Sequence, residues 1–424
     1  MLDSQISFLV APTALDANLL DHFAKHSGFI VRKTPGFSAD GFLLSCLKAI
    51  STGKASFRAL ARCLVLGGAK PLSRQALHYR SNHSGVEFLR EVARELTGKL
   101  SSSAVSQGFT RILIQDSTQL RMHAGNVGHF RALSNNWGPN AGAKLDCIGE
   151  IHSGALLDTK ITEGHTQDKT SGPRLLDHLM HGDLVLRDMG YFDIRSFKVI
   201  EECGAHWISR LHGMAAVTLP CGKPLEKLLK HTRLDTLDKP CVSVTDKHHN
   251  CRLIAIRTPE PLAARRRALK SLKRKLNKTN PNKNSLIRED WTIYLTNLPA
   301  DQWSAGQIHA LYGQRWNIEI RFRALKSSTE MKSALNRKTN RHHLEILLLA
   351  AVIQSLLCAL QHQKIRLMKH PRASETSIEL VSAWLQSVIL TMCRIDDLIR
   401  CDPRHLLPEK RKRKTLQQKL NALF

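Results

Sequence analysis

The stretch Phe109-Thr110-Arg111-Ile112-Leu113-Ile114-Gln115-Asp116 is where the texture of the chain changes. Its apolar, β-branched centre predicts a buried strand, and that strand ends on a carboxylate. Two further strands are expected, Lys144 to His152 and Leu156 to Glu163, with Ser153-Gly154 as a tight turn between them. A Gly-rich loop from His123 to Gly142, containing Trp137, separates the first strand from the second. A helix follows, roughly Lys169 to Met180. Then Asp183-Leu184-Val185-Leu186-Arg187-Asp188-Met189-Gly190-Tyr191 repeats the opening device, a short buried strand that ends in Asp and then Gly. A helix from Ile194 to Gly204 and a strand from His206 to Leu211 complete the run.

Three strands, helix, strand, helix, strand is the order of the ribonuclease-H-like fold. There the first three strands form an antiparallel meander and later ones add in parallel, with carboxylates on the first and fourth strands. Asp116 and Asp188 stand at those points. Residues 1–103 read as helical, with apolar residues at helical spacing from Phe42 to Ile50. Ala55 to Leu66, a break at Gly67-Gly68 and a segment from Pro71 to Asn82 outline a helix-turn-helix, with Ser73 as N-cap of the second helix. That helix carries Arg74, Gln75, His78, Tyr79 and Arg80, side chains that reach phosphates or base edges. A plain helical hairpin is the bland alternative. Ser101-Ser102-Ser103 reads as a linker.

Residues 212–304 look β-rich: Met214 to Leu219, Cys241 to Thr245, Cys251 to Arg257 and Trp291 to Thr296. Inside them Arg265 through Lys283 is a basic run without an acid, either a solvated arm or a grip on phosphates. The tail from residue 366 reads as helical and ends in a second basic cluster, Lys410 to Lys414. The expected division is therefore 1–103, a helical domain; 104–211 with 305–365, the core; 212–304, an insertion; and 366–424, a basic C-terminal region.

The 424 residues carry 63 Lys or Arg against 36 Asp or Glu, a formal charge of +27. A surface this basic attracts a polyanion, and nucleic acid is the commonest. Hydrophobic residues at 42% supply real cores and exclude a disordered polyelectrolyte, while 5% aromatics argue against a binder built on stacking platforms. The first thirty residues carry Asp3, Asp16 and Asp21 and do not read as a signal peptide. Leu344 to Leu360 is too short for a bilayer span and reads as a core helix. The ten cysteines include no C-x-x-C pair, which disfavours structural zinc and suits reduced thiols in a cytosolic protein.

The most specific pattern lies on the helix expected after residue 305. Tyr312, Arg315, Glu319 and Lys326 fall within about 60° of one another on a helix wheel and span about 21 Å. One face would then present a phenol, a guanidinium, a carboxylate and an ammonium, although Arg315 and Glu319 alone would be an ordinary i, i+4 pair. The whole Tyr-x2-Arg-x3-Glu-x6-Lys pattern resembles the YREK signature of bacterial insertion-sequence transposases, the large group named after insertion sequence four. The resemblance covers about residues 105–360. Asp116 in Ile-Gln-Asp-Ser-Thr matches the group's first Asp motif, Asp188 in Leu-Arg-Asp-Met-Gly-Tyr the second, and Glu319 the third. Ser73 to Arg80 is similar to the group's DNA-binding region.

The resemblance implies an α/β fold: a ribonuclease-H-like catalytic core with a β-rich insertion, plus an all-helical N-terminal DNA-binding domain. It implies a DDE transposase that binds the ends of an insertion sequence and cuts and joins DNA strands. Asp116, Asp188 and Glu319 would be catalytic and would hold two Mg²⁺ ions about 3.5–4 Å apart, Asp116 bridging both. Hard cations want oxygen ligands, and carboxylates supply them. Tyr312, Arg315 and Lys326, with Arg74 and Arg80, would contact double-stranded DNA, at the element ends and the target. A tryptophan in the insertion would stack on a flipped base, with Trp207, Trp291 and Trp303 as candidates, although each such residue is more often part of a core. A homodimer in the synaptic complex, cytoplasmic and nucleoid-associated in a bacterium and away from membranes, completes the expectation. The rivals are another ribonuclease-H-like nuclease such as a resolvase, which leaves Tyr312 and Lys326 unexplained, and a catalytically inactive DNA-binding relative, which the intact signature disfavours.

Overall fold

A computed structural model describes residues 15–32, 34–66, 72–100, 108–133, 140–213, 215–222, 224–244, 247–276, 286–368, 375–392 and 406. In chain order the helices are α1 (Ala17–His26), α2 (Ala39–Thr52), α3 (Phe57–Leu66), α4 (Arg74–Arg80), α5 (His83–Lys99), α6 (Asp168–Ser171), α7 (Ile194–Glu202), α8 (Leu225–His231), α9 (Glu260–Leu276), α10 (Ala305–Gly313), α11 (Trp316–Ser327), α12 (Met331–Leu335), α13 (Arg341–Leu367) and α14 (Ile378–Thr391). The strands are β1 (Ile112–Arg121), β2 (Gly142–Glu150), β3 (Leu156–Glu163), β4 (Leu184–Arg187), β5 (His206–Arg210), β6 (Val217–Thr218), β7 (Thr236–Val244), β8 (Lys247–Arg257) and β9 (Trp291–Thr296). Two compact units divide them. One comprises the described residues within Met1–Ser103, Asp116–Thr166 and Trp316–Thr415, the other those within Ala104–Gln115 and Gln167–Arg315. The chain crosses from one unit to the other inside β1.

In the second unit β1 lies parallel to β4, with Ile112 opposite Leu184 and Ile114 opposite Leu186. β4 lies parallel to β5, Val185 opposite Trp207. These strands are buried on both faces, so they read as continuous apolar runs rather than alternating ones. β5 then pairs antiparallel with β9, and β8, β7 and β6 continue outward in that order. The β-rich stretch after residue 212 thus extends the same sheet and covers an edge that β5 would otherwise expose. The helix expected over 169–180 is broken: four residues of α6 give way to a 3₁₀ segment, Gly172–His178. Gly172-Pro173 explains it, since proline removes an N–H and its ring clashes with the preceding turn. The basic α9 is partly neutralised at home, Arg267 pairing with Asp290 and Glu260, and Lys270 with Glu289. The run's end, 277–285, and the cluster at 410–414 lie outside the described residues.

In the first unit β2 and β3 form the expected antiparallel hairpin, Lys144 opposite Thr162, turning at Gly154 with φ of 73°. The order there is β3-β2-β1. β1 does not stop at Asp116 but continues to Arg121, so Asp116 sits mid-strand. Order 3-2-1-4-5 with β1, β4 and β5 parallel fits an α/β ribonuclease-H-like core.

Helix α13 is the core of the first unit. It is apolar nearly all round, and residues 344–360 are mostly buried, as their sequence leads one to expect. Such a helix needs cover on every side, and α2, α5 and α14 supply it. The N-terminal helices share a compact unit with α13. Ser73 caps α4 as expected, its Oγ accepting from Ala76 N at 3.0 Å; Gly67-Gly68 and Ser101 to Ser103 lie outside the described residues.

At the start of α13, buried His343 donates from Nε2 to the Ala55 carbonyl at 2.9 Å, and its Nδ1 faces Ser81 Oγ at 3.4 Å. Burial lowers its pKa to about 4 from the ordinary 6.5; the bond to Ala55 opposes the shift, and the charges of Arg337 and His78 add to it. The unfolded chain then binds the extra proton between these two values, so stability rises with pH across that window. We expect the protein to lose about 3 kcal/mol through this one group as pH falls from 6.5 to 4. Urea unfolding at several pH values should show a shallower dependence in His343→Gln; an unchanged dependence would refute the assignment.

Candidate active site

The site begins with the pairing of β1 and β4. Arg111 reaches buried Asp183 with both ends of its fork, Nε to Oδ1 at 3.1 Å and Nη2 to Oδ2 at 2.6 Å. Two strand pleats further on, the fully buried Arg187 donates from Nη1 to Gln115 Oε1 at 3.0 Å and from Nη2 to the Gly172 carbonyl at 3.0 Å. Gln115 Nε2 in turn donates to Ser171 O at 2.9 Å. Buried polar groups persist only when bonded, so these contacts fix the β1–β4 register. Gln115 and Arg187 are the residues immediately before Asp116 and Asp188.

Asp188 follows the last residue of β4 and is half-buried. Above it stands Tyr312 of α10, which is 7% exposed. Its hydroxyl hydrogen is shared between Arg187 O at 3.3 Å and Asp188 Oδ1 at 3.4 Å. Burial, then the charge of Asp188, push the phenol pKa up, while Arg315 works against the shift. Tyr312 is thus a neutral donor aimed at a carboxylate. Its ring packs on Tyr294 at 4.9 Å, and Tyr294 Oη meets His309 Nδ1 at 2.8 Å.

The continuous helix expected from residue 305 is two helices. α10 opens on a capping box, Ser304 with Gln307, and ends at Gly313. Gln314 N bonds Leu311 O and Arg315 N bonds Tyr312 O, both i to i−3 bonds that tighten the turn before α11 begins at Trp316. Glycine at 313, costing about 1 kcal/mol relative to alanine in a helix, supplies the weak point. Tyr312 and Arg315 consequently do not share one continuous helix face with Glu319 and Lys326.

In the first unit a cavity of about 650 Å³ is lined by Asp116, Ser117 and Thr118 of β1 and by Glu319, Phe322, Arg323, Lys326 and Ser327 of α11. Glu319, Phe322, Arg323 and Lys326 follow the i, i+3, i+4, i+7 spacing of one helix face. Asp116 Oδ1 accepts from Ser117 N at 2.7 Å. Partial desolvation lowers the Lys326 pKa. Among the described residues, no three His, Cys, Asp or Glu side chains stand close enough together to hold a metal ion.

The remaining expected contacts are distributed as follows. Arg74 is exposed and lines a cavity with Arg58, Arg337 and Lys338. Arg80 turns inward: its guanidinium lies 4.4 Å from the Phe37 ring centre and bonds Ala76 O and Thr34 Oγ1. Trp207 is fully buried and stacks on Phe197 at 4.0 Å, Trp291 is buried beneath Arg257, and Trp303 stacks on Phe109 at 4.9 Å. Trp207 and Trp291 are core residues; among the described residues the exposed tryptophan is Trp316, at 53%, three residues before Glu319.

The model of the transposase DDE domain family matches residues 107–354. The chain belongs to the DDE transposase family. It is 30% identical over 392 residues to the transposase for insertion sequence element IS231D of Bacillus thuringiensis subsp. finitimus, covering 86% of this chain and 81% of that one. It is 29% identical to the IS231C transposase of B. thuringiensis subsp. berliner, with 84% and 80% covered. The IS1151 transposase of Clostridium perfringens is 23% identical, with 77% and 75% covered. Among solved structures, the cryo-EM structure of a piggyBac transposase synaptic complex with hairpin DNA gives a TM-score of 0.45 at 12% identity, over all of this chain and 85% of that one.

Sequence reasoning on this transposase passed over Gln115, Arg187 and Arg323. Arg323 was visible as the i+4 neighbour of Glu319. The Gln115–Arg187 pair carries no local signal, because its members are 72 residues apart. Replacing Arg187 with Met takes away the donor that Gln115 Oε1 and Gly172 O both face, at about 1–3 kcal/mol for each oxygen. We expect Arg187→Met to lower the urea midpoint strongly, and Gln115→Leu in the same chain to restore part of the loss. Additive losses would mean the two side chains do not act as a pair.

Tyr312→Phe removes one hydrogen bond and no packing. It should cost only about 0.5–1.5 kcal/mol of stability. DNA cleavage should suffer more than stability does, since Asp188 loses its donor. Cleavage at the wild-type rate in a folded Tyr312→Phe protein would show that the hydroxyl does not orient Asp188.

Proposed function

We propose that this transposase binds the ends of its element and cuts and rejoins DNA through Asp116, Asp188 and Glu319, with divalent metal. The observation that carries the reading is the strand register. Ile114 lies opposite Leu186, and each Asp stands two residues beyond its member of that pair. Side chains alternate along a strand, so Asp116 would point away from the face that Gln115 gives to the clasp, and Asp188, if the extended backbone carries on, away from that of Arg187. Glu319 joins through the cavity it lines with Asp116.

The donor set suits Mg²⁺: carboxylates, with the hydroxyls of Ser117 and Thr118 beside them and, among the described residues, no thiol or imidazole lining the cavity. Two such ions would activate the attacking oxygen and stabilise the leaving one. Bare carboxylates repel one another, and bound cations would relieve that repulsion. Lys326 and Arg323, on the Glu319 face of α11, would hold strand phosphates next to the reacting one. Arg315 would do the same from the turn between α10 and α11. Tyr312 keeps Asp188 oriented by its hydrogen bond and would not itself need to touch DNA.

The Tyr312, Arg315, Glu319, Lys326 spacing supports placing the protein in the YREK group. The helices of residues 15–100 would serve as its DNA-binding region, with Arg74 on the duplex and Arg80 bracing α4. The domain division at 103, 211, 304 and 365 follows from the same reading, as does a homodimer that pairs two ends in the bacterial nucleoid.

Single replacements Asp116→Ala, Asp188→Ala and Glu319→Ala should each reduce Mg²⁺-dependent cleavage of an end-bearing plasmid to background, with duplex binding close to wild type. Asp→Glu changes should fail too, because an extra methylene misplaces the ligand. A fully active Glu319→Ala protein, or cleavage indifferent to chelators, would sink the proposal.

A further inference from the structure

Two adjoining cavities in the first unit, of about 390 and 560 Å³, share Ser56, Arg58 and Arg337 as lining residues. Together they form a groove whose charged lining is Lys54, Arg58, Arg62, Arg74, Arg337 and Lys338. Among the described residues no Asp or Glu lines either part. None of these six cations forms an ion pair among the described residues, unlike Arg267 and Lys270 on α9.

The walls are held by neutral buried groups, leaving the cations out of the fold's own bonding. The buried Asn126 grips the loop between α12 and α13 twice, its Nδ2 donating to Arg337 O at 2.7 Å and its Oδ1 accepting from Thr339 N at 3.1 Å. Asn340 caps α13, its Oδ1 accepting from His343 N at 2.7 Å. His343 ties that helix to Ala55 at the mouth of α3. A preformed channel whose six cations repel one another is unfavourable by itself, and a chain of anions relieves it.

We propose that this groove holds the sugar–phosphate backbone of the duplex on which the transposase acts. Lined by cations, it positions DNA by charge and does not select sequence. It brings Arg58, Arg62, Arg337 and Lys338 into DNA contact beside Arg74, from a loop and a helix far apart in sequence. The proposal rests on the chain acting on DNA and is independent of which carboxylates cut it.

The test uses the full-length chain and a labelled random-sequence duplex of about 30 base pairs without divalent metal, with affinity read by anisotropy from about 50 to 200 mM salt. Each phosphate contact contributes about 0.9 to the slope of log affinity against log salt. Arg58→Ala with Arg337→Ala should reduce that slope by about 1.8, while Arg58→Lys with Arg337→Lys should keep it. Lys160→Ala with Lys198→Ala removes the same charge from exposed sites outside the groove and outside the helices of residues 15–100, and should leave the slope unchanged. In the wild-type chain, bound duplex should protect Lys54 and Lys338 from acetylation, a readout that needs no variant to fold. An unchanged slope in the first pair, an equal fall in the control pair, or unprotected Lys54 and Lys338 would overturn the proposal. Loss of cleavage in the carboxylate variants with this slope intact would leave the groove standing, so the two proposals fail separately.

Discussion

A guanidinium with no access to water must be met by oxygen, and Arg187 is met by Gln115 Oε1 and the Gly172 carbonyl. The clasp ties a residue on β1 to one on β4 and to the segment that follows α6. With Arg111 on Asp183 at the other end of the same strand pair, it pins the register at two points. Register matters here more than stability does. A slip of one residue turns every side chain to the other face, and Asp116 and Asp188 each sit one residue beyond the clasp. The apolar contacts of Ile112, Ile114, Leu184 and Leu186 cannot supply that precision, because one branched aliphatic side chain substitutes readily for another.

The first unit answers a different constraint. α13 is apolar around its circumference and would be insoluble alone, so α2, α5 and α14 are drawn around it. The same burial holds His343 neutral and sets the start of α13 against Ala55. Asn126 then fixes the loop that leads into the helix. Because neutral groups do this holding, the surface cations at Arg58, Arg74, Arg337 and Lys338 are left for a partner. That division of labour gives the +27 charge of the chain a place as well as a sign.

The turn at Gln314-Arg315 shows how periodicity misleads. Offsets of 3, 7 and 14 would align Tyr312, Arg315, Glu319 and Lys326 on one helix, and a wheel drawn through Gly313 assumes the helix continues. The chain instead closes α10 with i to i−3 bonds and begins again at Trp316. Tyr312 instead meets Asp188, and Glu319 and Lys326 line one cavity.

Local sequence determined the strands at 112, 142, 156, 184 and 206, the cap at Ser73, the buried stretch 344–360 and the candidate carboxylates, because each is written in adjacent residues or in a fixed spacing. It also carried the family, since the Asp motifs and the Tyr-to-Lys pattern are strings. Tertiary structure alone decided the extension of β1 past Asp116, the addition of β9, β8, β7 and β6 to the same sheet, the inward turn of Arg80 and the burial of Trp207 and Trp291. It alone made the Gln115–Arg187 clasp and the cationic groove. Each of these joins residues tens to hundreds of positions apart, and whether a polar side chain faces water or a partner depends on what the fold brings against it, which no local pattern records.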